Sequence, residues 1–223
     1  ITVEKILEPG EALPPQWPVD GTTGYDALAE VGGLFIDPSA EAEIDALYRS
    51  LTGDEQSFAQ HVRKGKRSAV DTILRSEIAR LARLVPTVLN GAVLLAELVV
   101  QFPVYRSYLS YGAEHLDAAI TAALAERPDL AETIAALTPR LTDPGDELCV
   151  RFQQVTGAVM AKGVEYTAYY RYNRFIALNE VGGDPARFGI QPAAFHLAQD
   201  VRQQVAPNSM TTMSTHDTKR GED

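Results

Sequence analysis

Two acidic side chains stand where a folded chain seldom carries them without a reason. Glu4 lies inside Val3-Glu4-Lys5-Ile6-Leu7, and Thr2–Leu7 reads as a buried, β-branched strand. Asp217 comes just after a second strand candidate, Ser209–Ser214, and is preceded by His216. A carboxylate in such a place is costly unless it is paired or used. Used together, two carboxylates at strand ends suit glycosidic-bond chemistry. One, protonated, donates to the leaving oxygen, and the other stays ionised beside an oxocarbenium-like transition state. The plainer reading is that Glu4 and Lys5 form a surface pair on an edge strand. The pattern alone leaves both open.

Other chemistries find little support. The single cysteine, Cys149, excludes a disulfide within the chain and reads as a small buried hydrophobe between Leu148 and Val150. His61, His115, His196 and His216 share no ligand-type spacing, so neither a metal nor another cofactor is expected. A net charge of −10 argues against nucleic acid or an anionic membrane surface as partner and is compatible with a neutral polysaccharide. The longest apolar stretch, Ala92–Val100, is interrupted by Glu97 and is too short to span a bilayer. No signal peptide is apparent, so a cytoplasmic location is the default expectation. Hydrophobic residues make up 45% and charged residues 22% of 223, enough for a real core in one large domain or two small ones.

The elements that must position the carboxylates are mostly helical. Glu8–Gly21 is rich in proline and glycine and reads as a loop; its Trp17 serves either as a hydrophobic anchor or as a sugar-stacking platform. Helices are expected at Thr22–Phe35 and at Ala40–Leu51 behind a Ser39 cap. Ser57–Arg63 and Ser68–Leu84 come next, separated by the basic run Arg63-Lys64-Gly65-Lys66-Arg67 as a solvated junction. Pro86 is expected to start or kink the next helix, which runs to about Val100. Phe102–Tyr108 reads as a strand, and Glu114–Glu126, Leu130–Leu137, Glu147–Thr156, Asn173–Asn179 and Gln191–Val205 as helices. Ala161–Tyr170 is ambiguous.

Three short strands cannot form an independent sheet around so many helices. They make sense as widely spaced strands of a larger parallel barrel. The expected fold is therefore α/β: a partial (β/α)8 barrel holding about the last half of its strands, with a large helical insertion and a predominantly helical content. The divisions expected are 1–36 (the strand with Glu4 and the loop and helix after it), 37–100 (helical insertion) and 101–223 (further barrel strands and helices). A start in a buried strand and a stop in a polar loop suggest a segment of a longer protein. In a barrel of this kind, strand carboxyl ends face the active site.

Several motifs carry a family resemblance. Val3-Glu4-Lys5-Ile6-Leu7 resembles the fifth-strand motif of the maltooligosyl trehalose synthase family, within the α-amylase superfamily. Trp17 to Asp26, Pro103 to Tyr108 and Arg151 to Gln154 are similar to the same family. So are Met160 to Asn173, Leu178 to Pro185 and the closing stretch Ser214 to Asp223. The resemblance covers the whole chain, in order.

The resemblance implies roles. Glu4 matches the general acid/base, and Asp217 the third carboxylate, which holds sugar hydroxyls and stabilises the transition state. His216 would hydrogen-bond the same ring, and Lys219 and Arg220 complete that loop. Tyr105 and Arg106 match a substrate-side strand, and Tyr169, Tyr170 and Tyr172 an aromatic group near the glucan. Lys162 and Glu165 are further substrate-binding candidates. The family's nucleophilic Asp sits in an Arg-x-Asp-His type motif, which this chain lacks, so the nucleophile is expected outside it. The implied reaction converts the reducing-end α-1,4 linkage of a maltooligosaccharide to α,α-1,1, with no metal and no cofactor. A trehalose-releasing hydrolase is the implied functional partner. The alternatives are another α-1,4-glucan hydrolase or transferase of the superfamily, or an inactive helical fragment. One departure stands out: family members usually carry Asp where this chain has Tyr166.

Overall fold

The computed structural model describes residues 1–220. The last three residues of the closing motif, Gly221-Glu222-Asp223, lie outside them. The described chain is predominantly helical and divides into two compact units. One comprises Ile1–Ala59 together with the chain from Tyr169 on; the other is Gln60–Ala168.

The continuous unit is built on helices. Its elements are most of α3 (Phe58–Asp71), then α4 (Arg75–Ala82), α5 (Gly91–Gln101), α6 (Ala113–Glu126), α7 (Ala131–Leu141) and α8 (Glu147–Met160). Helix α5 is apolar nearly all round, which predicts a central position. Leu94, Leu95, Leu98 and Val99 are indeed at most 1% exposed. Each such side chain, fully buried, contributes about 1.5–3 kcal/mol. The Asp146 carboxylate caps α8 by accepting from the Leu148 amide at 2.8 Å. The helix then widens into a π-turn, Ala161–Glu165, closed by the Tyr166 amide on the Ala161 carbonyl at 3.1 Å.

In this unit the structure corrects three expectations. The basic run is no solvated junction: it lies inside α3. Lys66 is buried and donates to the Phe102 carbonyl at 2.7 Å, while Arg67 pairs with the buried Glu97. Pro86 sits in a turn, and α5 starts five residues later, after Asn90 in the left-handed region (φ 58°). Phe102–Tyr108 is not a strand. Its only ladder contact among the described residues is an isolated antiparallel bridge, Tyr108 to Tyr111. Its apolar pattern comes from burial in a helical core instead: Phe102 packs edge-on against Phe152, centroids 5.8 Å apart.

The two-segment unit holds β1 (Thr2–Val3) and β2 (Gly21–Thr22), paired in parallel with Thr2 opposite Gly21 and Val3 opposite Thr22. These are the only strands among the described residues. Around them lie α1 (Tyr25–Leu34), α2 (Glu41–Thr52), the start of α3, and α9 (Pro192–Val205). The expected strand Thr2–Leu7 stops at Val3, because the Lys5 amide turns back onto the Val3 carbonyl at 3.0 Å. Gly21–Thr22, read as loop and helix start, is its partner. The expected strand Ser209–Ser214 is irregular. The Met210 amide does reach the Thr22 carbonyl (3.1 Å), but the Thr22 amide is taken by the Ser209 hydroxyl (3.0 Å), so no ladder propagates. Asn173–Asn179 shortens to a single 3-10 turn, Ile176–Leu178, and Asp37, not Ser39, caps the turn before α2. Among the described residues no helix is long and apolar enough to cross a membrane.

Candidate active site

Glu4 follows directly on β1, one residue past its end. Lys5 turns inward, 6% exposed, and its ammonium meets the buried Glu11 carboxylate at 2.6 Å and the Ile6 carbonyl at 3.0 Å. Glu4 turns the other way, its side chain 49% exposed. The surface-pair reading of Glu4 with Lys5 is thereby overturned: Lys5 belongs to Glu11.

Glu4 instead meets the turn Thr215–Lys219. The His216 imidazole Nε2 lies 3.5 Å from Glu4 Oε1. Asp217 is next in the chain, its side chain 28% exposed, with the Lys219 ammonium 3.7 Å away. The turn is held by its own hydroxyls. The Thr215 amide donates to Thr218 Oγ1 (3.2 Å), and that hydroxyl donates back to the Thr215 carbonyl (2.9 Å). The Asp217 amide donates to Thr215 Oγ1 at 3.1 Å, and the Lys219 amide to Glu180 Oε1 at 2.7 Å. Arg220 is exposed.

Tyr25, the first residue of α1, links Glu4 to the turn that carries Asp217. It is 1% exposed; its hydroxyl donates to Glu4 Oε1 at 3.4 Å and accepts from the Thr215 hydroxyl at 3.0 Å. Burial pushes its phenol above the usual range, the Thr215 hydrogen bond opposes this, and the charges of Glu4 and Asp217 add to the upward shift. Gly182, at φ +77°, closes the other side: a Cβ there would stand 2.8 Å from the Tyr25 Cβ. By its sequence Tyr25 is only an apolar helix position. Its place directly after Gly24 at a helix start, within a motif-bearing stretch, was the available signal.

The same unit holds the three tyrosines of the aromatic group. Tyr169 stacks on Phe58 (centroids 6.0 Å), and Tyr172 meets Phe58 and Tyr48 at 5.5 and 5.4 Å. Both are buried, whereas Tyr170 is 62% exposed and presents its ring to solvent. The remaining candidates lie in the helical unit. The Tyr105 hydroxyl donates at 2.5 Å to Glu165, which is 1% exposed. Arg106 covers the Tyr108 ring at 4.8 Å, and its buried Nε has no hydrogen-bond partner among the described residues. Lys162 places its ammonium 4.2 Å from the centre of the Tyr166 ring. Tyr166 thus offers Lys162 the π face of its ring.

No family model matches the chain. A curated protein of Mycobacterium tuberculosis named a maltooligosyl trehalose synthase is 42% identical over 100% of this chain. The solved maltooligosyltrehalose synthase of Arthrobacter ramosus superposes with a TM-score of 0.95 at 48% identity, over 99% of this chain and 29% of that one. A DSM5389 glycosyltrehalose synthase gives 0.81 at 31% identity, over 98% of this chain and 27% of that one. Sequence and fold both match maltooligosyl trehalose synthases. The resemblance carried by the motifs is borne out from end to end. The chain spans 30% of the length of the curated synthase, so it corresponds to one segment of such a protein.

Proposed function

We propose that this chain is a segment of an enzyme that rearranges the reducing end of a maltooligosaccharide, with Glu4 as acid/base and Asp217 as transition-state stabiliser. The observation that carries the reading is the meeting of Glu4 with the His216-Asp217 turn around the buried Tyr25 hydroxyl. Residues more than two hundred positions apart in the chain converge there.

Glu4 protonates the oxygen of the last α-1,4 bond while a nucleophilic Asp, outside this segment, takes the sugar as a covalent glycosyl-enzyme. Asp217 holds the sugar hydroxyls and stays ionised as charge develops at the anomeric carbon. His216 and Lys219 flank it as donors. The freed glucose stays bound, turns, and attacks through its own anomeric hydroxyl, whose proton passes to Glu4. Two inversions give net retention and an α,α-1,1 bond. Holding the glucose gives its hydroxyl a high effective concentration, and excluding water keeps hydrolysis from competing. Tyr169, Tyr170, Tyr172 and Arg220, in the same unit, are proposed as substrate-side residues, and Tyr105, Arg106, Lys162 and Glu165 keep that role on the family resemblance alone.

The parallel pairing of β1 with β2 supports a larger parallel sheet, which we take to be a (β/α)8 barrel. Helix α9 supports a larger fold too, since Leu197, Val201 and Val205 leave an exposed apolar stripe. A cytoplasmic location and a trehalose-releasing hydrolase acting on the product belong to the same proposal. The test is Glu4→Gln in the full-length protein. It is expected to lower kcat by about 10²–10⁴-fold, the usual worth of a positioned acid/base, with the substrate still bound. A variant with an undiminished rate contradicts the assignment.

A further inference from the structure

A line of hydrogen bonds in the two-segment unit runs unbroken from one carboxylate residue to the other, every donor pointing the same way. The Asp217 amide donates to Thr215 Oγ1 (3.1 Å), the Thr215 hydroxyl to Tyr25 Oη (3.0 Å), and the Tyr25 hydroxyl to Glu4 Oε1 (3.4 Å). The amide end sets its direction: a backbone amide can only donate, so each hydroxyl in turn passes its single proton onward, and Glu4 Oε1 accepts whether or not Oε2 carries a proton.

We propose that Tyr25 and Thr215 are positioning residues, tying Glu4 to the turn that carries Asp217 so that the two carboxyl groups keep one separation through both halves of the reaction. The inference rests on the functional reading above. Three features favour it over a simple core role for Tyr25. Tyr25 is 1% exposed, and Gly182 lies so close behind it that a Cβ there would stand 2.8 Å from the Tyr25 Cβ. Its hydroxyl, the one polar atom of an otherwise apolar ring, meets Glu4 on one side and Thr215 on the other. The contact to Glu4 uses Oε1, which leaves Oε2 for the proton that moves to and from the sugar. At 3.4 Å the last bond is long, as such bonds often are before substrate tightens them.

The experiment measures kcat and KM on maltopentaose, with thermal melting, for the full-length protein and its Tyr25→Phe, Thr215→Val, Thr215→Ser, Tyr25→Phe/Thr215→Val and Glu4→Gln variants. Tyr25→Phe keeps the ring and removes only the hydroxyl. It is expected to lower kcat roughly 10- to 100-fold, the scale of a small misplacement of a reacting group, with KM changed less than about two-fold and melting unaltered. Thr215→Ser should recover most of the rate that Thr215→Val loses. The double variant should be no slower than the slower single one, because both break the same line. Wild-type kcat in Tyr25→Phe, or Thr215→Ser as slow as Thr215→Val, overturns the proposal. If Tyr25→Phe fails to fold, the Thr215 pair decides alone. A wild-type protein that forms no trehalose-ended product, or a Glu4→Gln variant at full rate, overturns the functional reading together with this one. Glu4→Gln inactive beside Tyr25→Phe at full rate overturns this one only.

Discussion

At the scale of single residues, the neighbours Glu4 and Lys5 part company just past β1, one exposed and one buried. Lys5 is spent on a buried pair with Glu11, and Glu4 is left facing the His216-Asp217 turn. Buried tyrosines give the unit a pH signature of their own. The Tyr48 phenol is pushed up to about 12 by burial first and then by the Asp54 carboxylate that accepts its hydrogen bond at 2.7 Å. A phenol whose pKa is higher folded than unfolded holds its proton longer in the folded state. Its contribution to stability is therefore complete below about pH 10, the unfolded value, and is lost as pH rises toward 12. At neutral pH Tyr48→Phe should cost about 1 kcal/mol, the worth of one hydrogen bond plus an acceptor left short of a donor. Denaturant midpoints between pH 8 and pH 12, a window set by the same linkage, should show wild type and variant converging. A gap that stays constant to the top of that range contradicts the assignment.

At the scale of elements, much was legible, and the illegible part has a physical reason. Helices α2, α5 and α6 follow from apolar periodicity and breakers, because each packs one side inward or, for α5, nearly all of it, and α9 follows from the same periodicity although its apolar stripe stays exposed. The strands were read from β-branched runs, yet strand formation needs a partner that a local pattern does not contain. Phe102–Tyr108 spends its apolar side chains on a helical core, and Ser209 lends a hydroxyl where a ladder would use a carbonyl. Glu4 and Asp217 were legible as candidates, whereas Tyr25 was not, since a buried tyrosine in a helix looks like any core aromatic until its hydroxyl is located. The basic run was misread because Gly65 is invisible to charge patterning. Gly65 and Gly163 let α3 and the π-turn after α8 meet backbone to backbone: a Cβ at Gly163 would stand 2.6 Å from the Lys66 Cα. Gly163→Ala should therefore destabilise the helical unit by about 1–3 kcal/mol through overpacking. Gly32, inside α1 with open space at its Cβ position, is the contrast: Gly32→Ala should be neutral or stabilise by about 0.5–1 kcal/mol. Urea midpoints of the two variants test the contrast, and equal effects would contradict it.

At the scale of the whole molecule, the chain has two compact units and spans 30% of the length of the curated synthase it matches, and the catalytic role of its carboxylates is our proposal. The helical unit has a continuous core of its own, from Val70 to Val159. The two-segment unit holds Glu4 just past one of only two short strands and Asp217 in an irregular turn, and its remaining support is proposed to come from the rest of the enzyme. The central claim concerns what that complete enzyme does to a linear glucan. The most direct measurement incubates the full-length protein with maltopentaose and tracks reducing ends and free glucose together. An intramolecular transfer is expected to remove reducing ends with little glucose released, leaving a non-reducing product of unchanged mass. Glucose and the shortened chain appearing one for one with substrate consumed would contradict the claim.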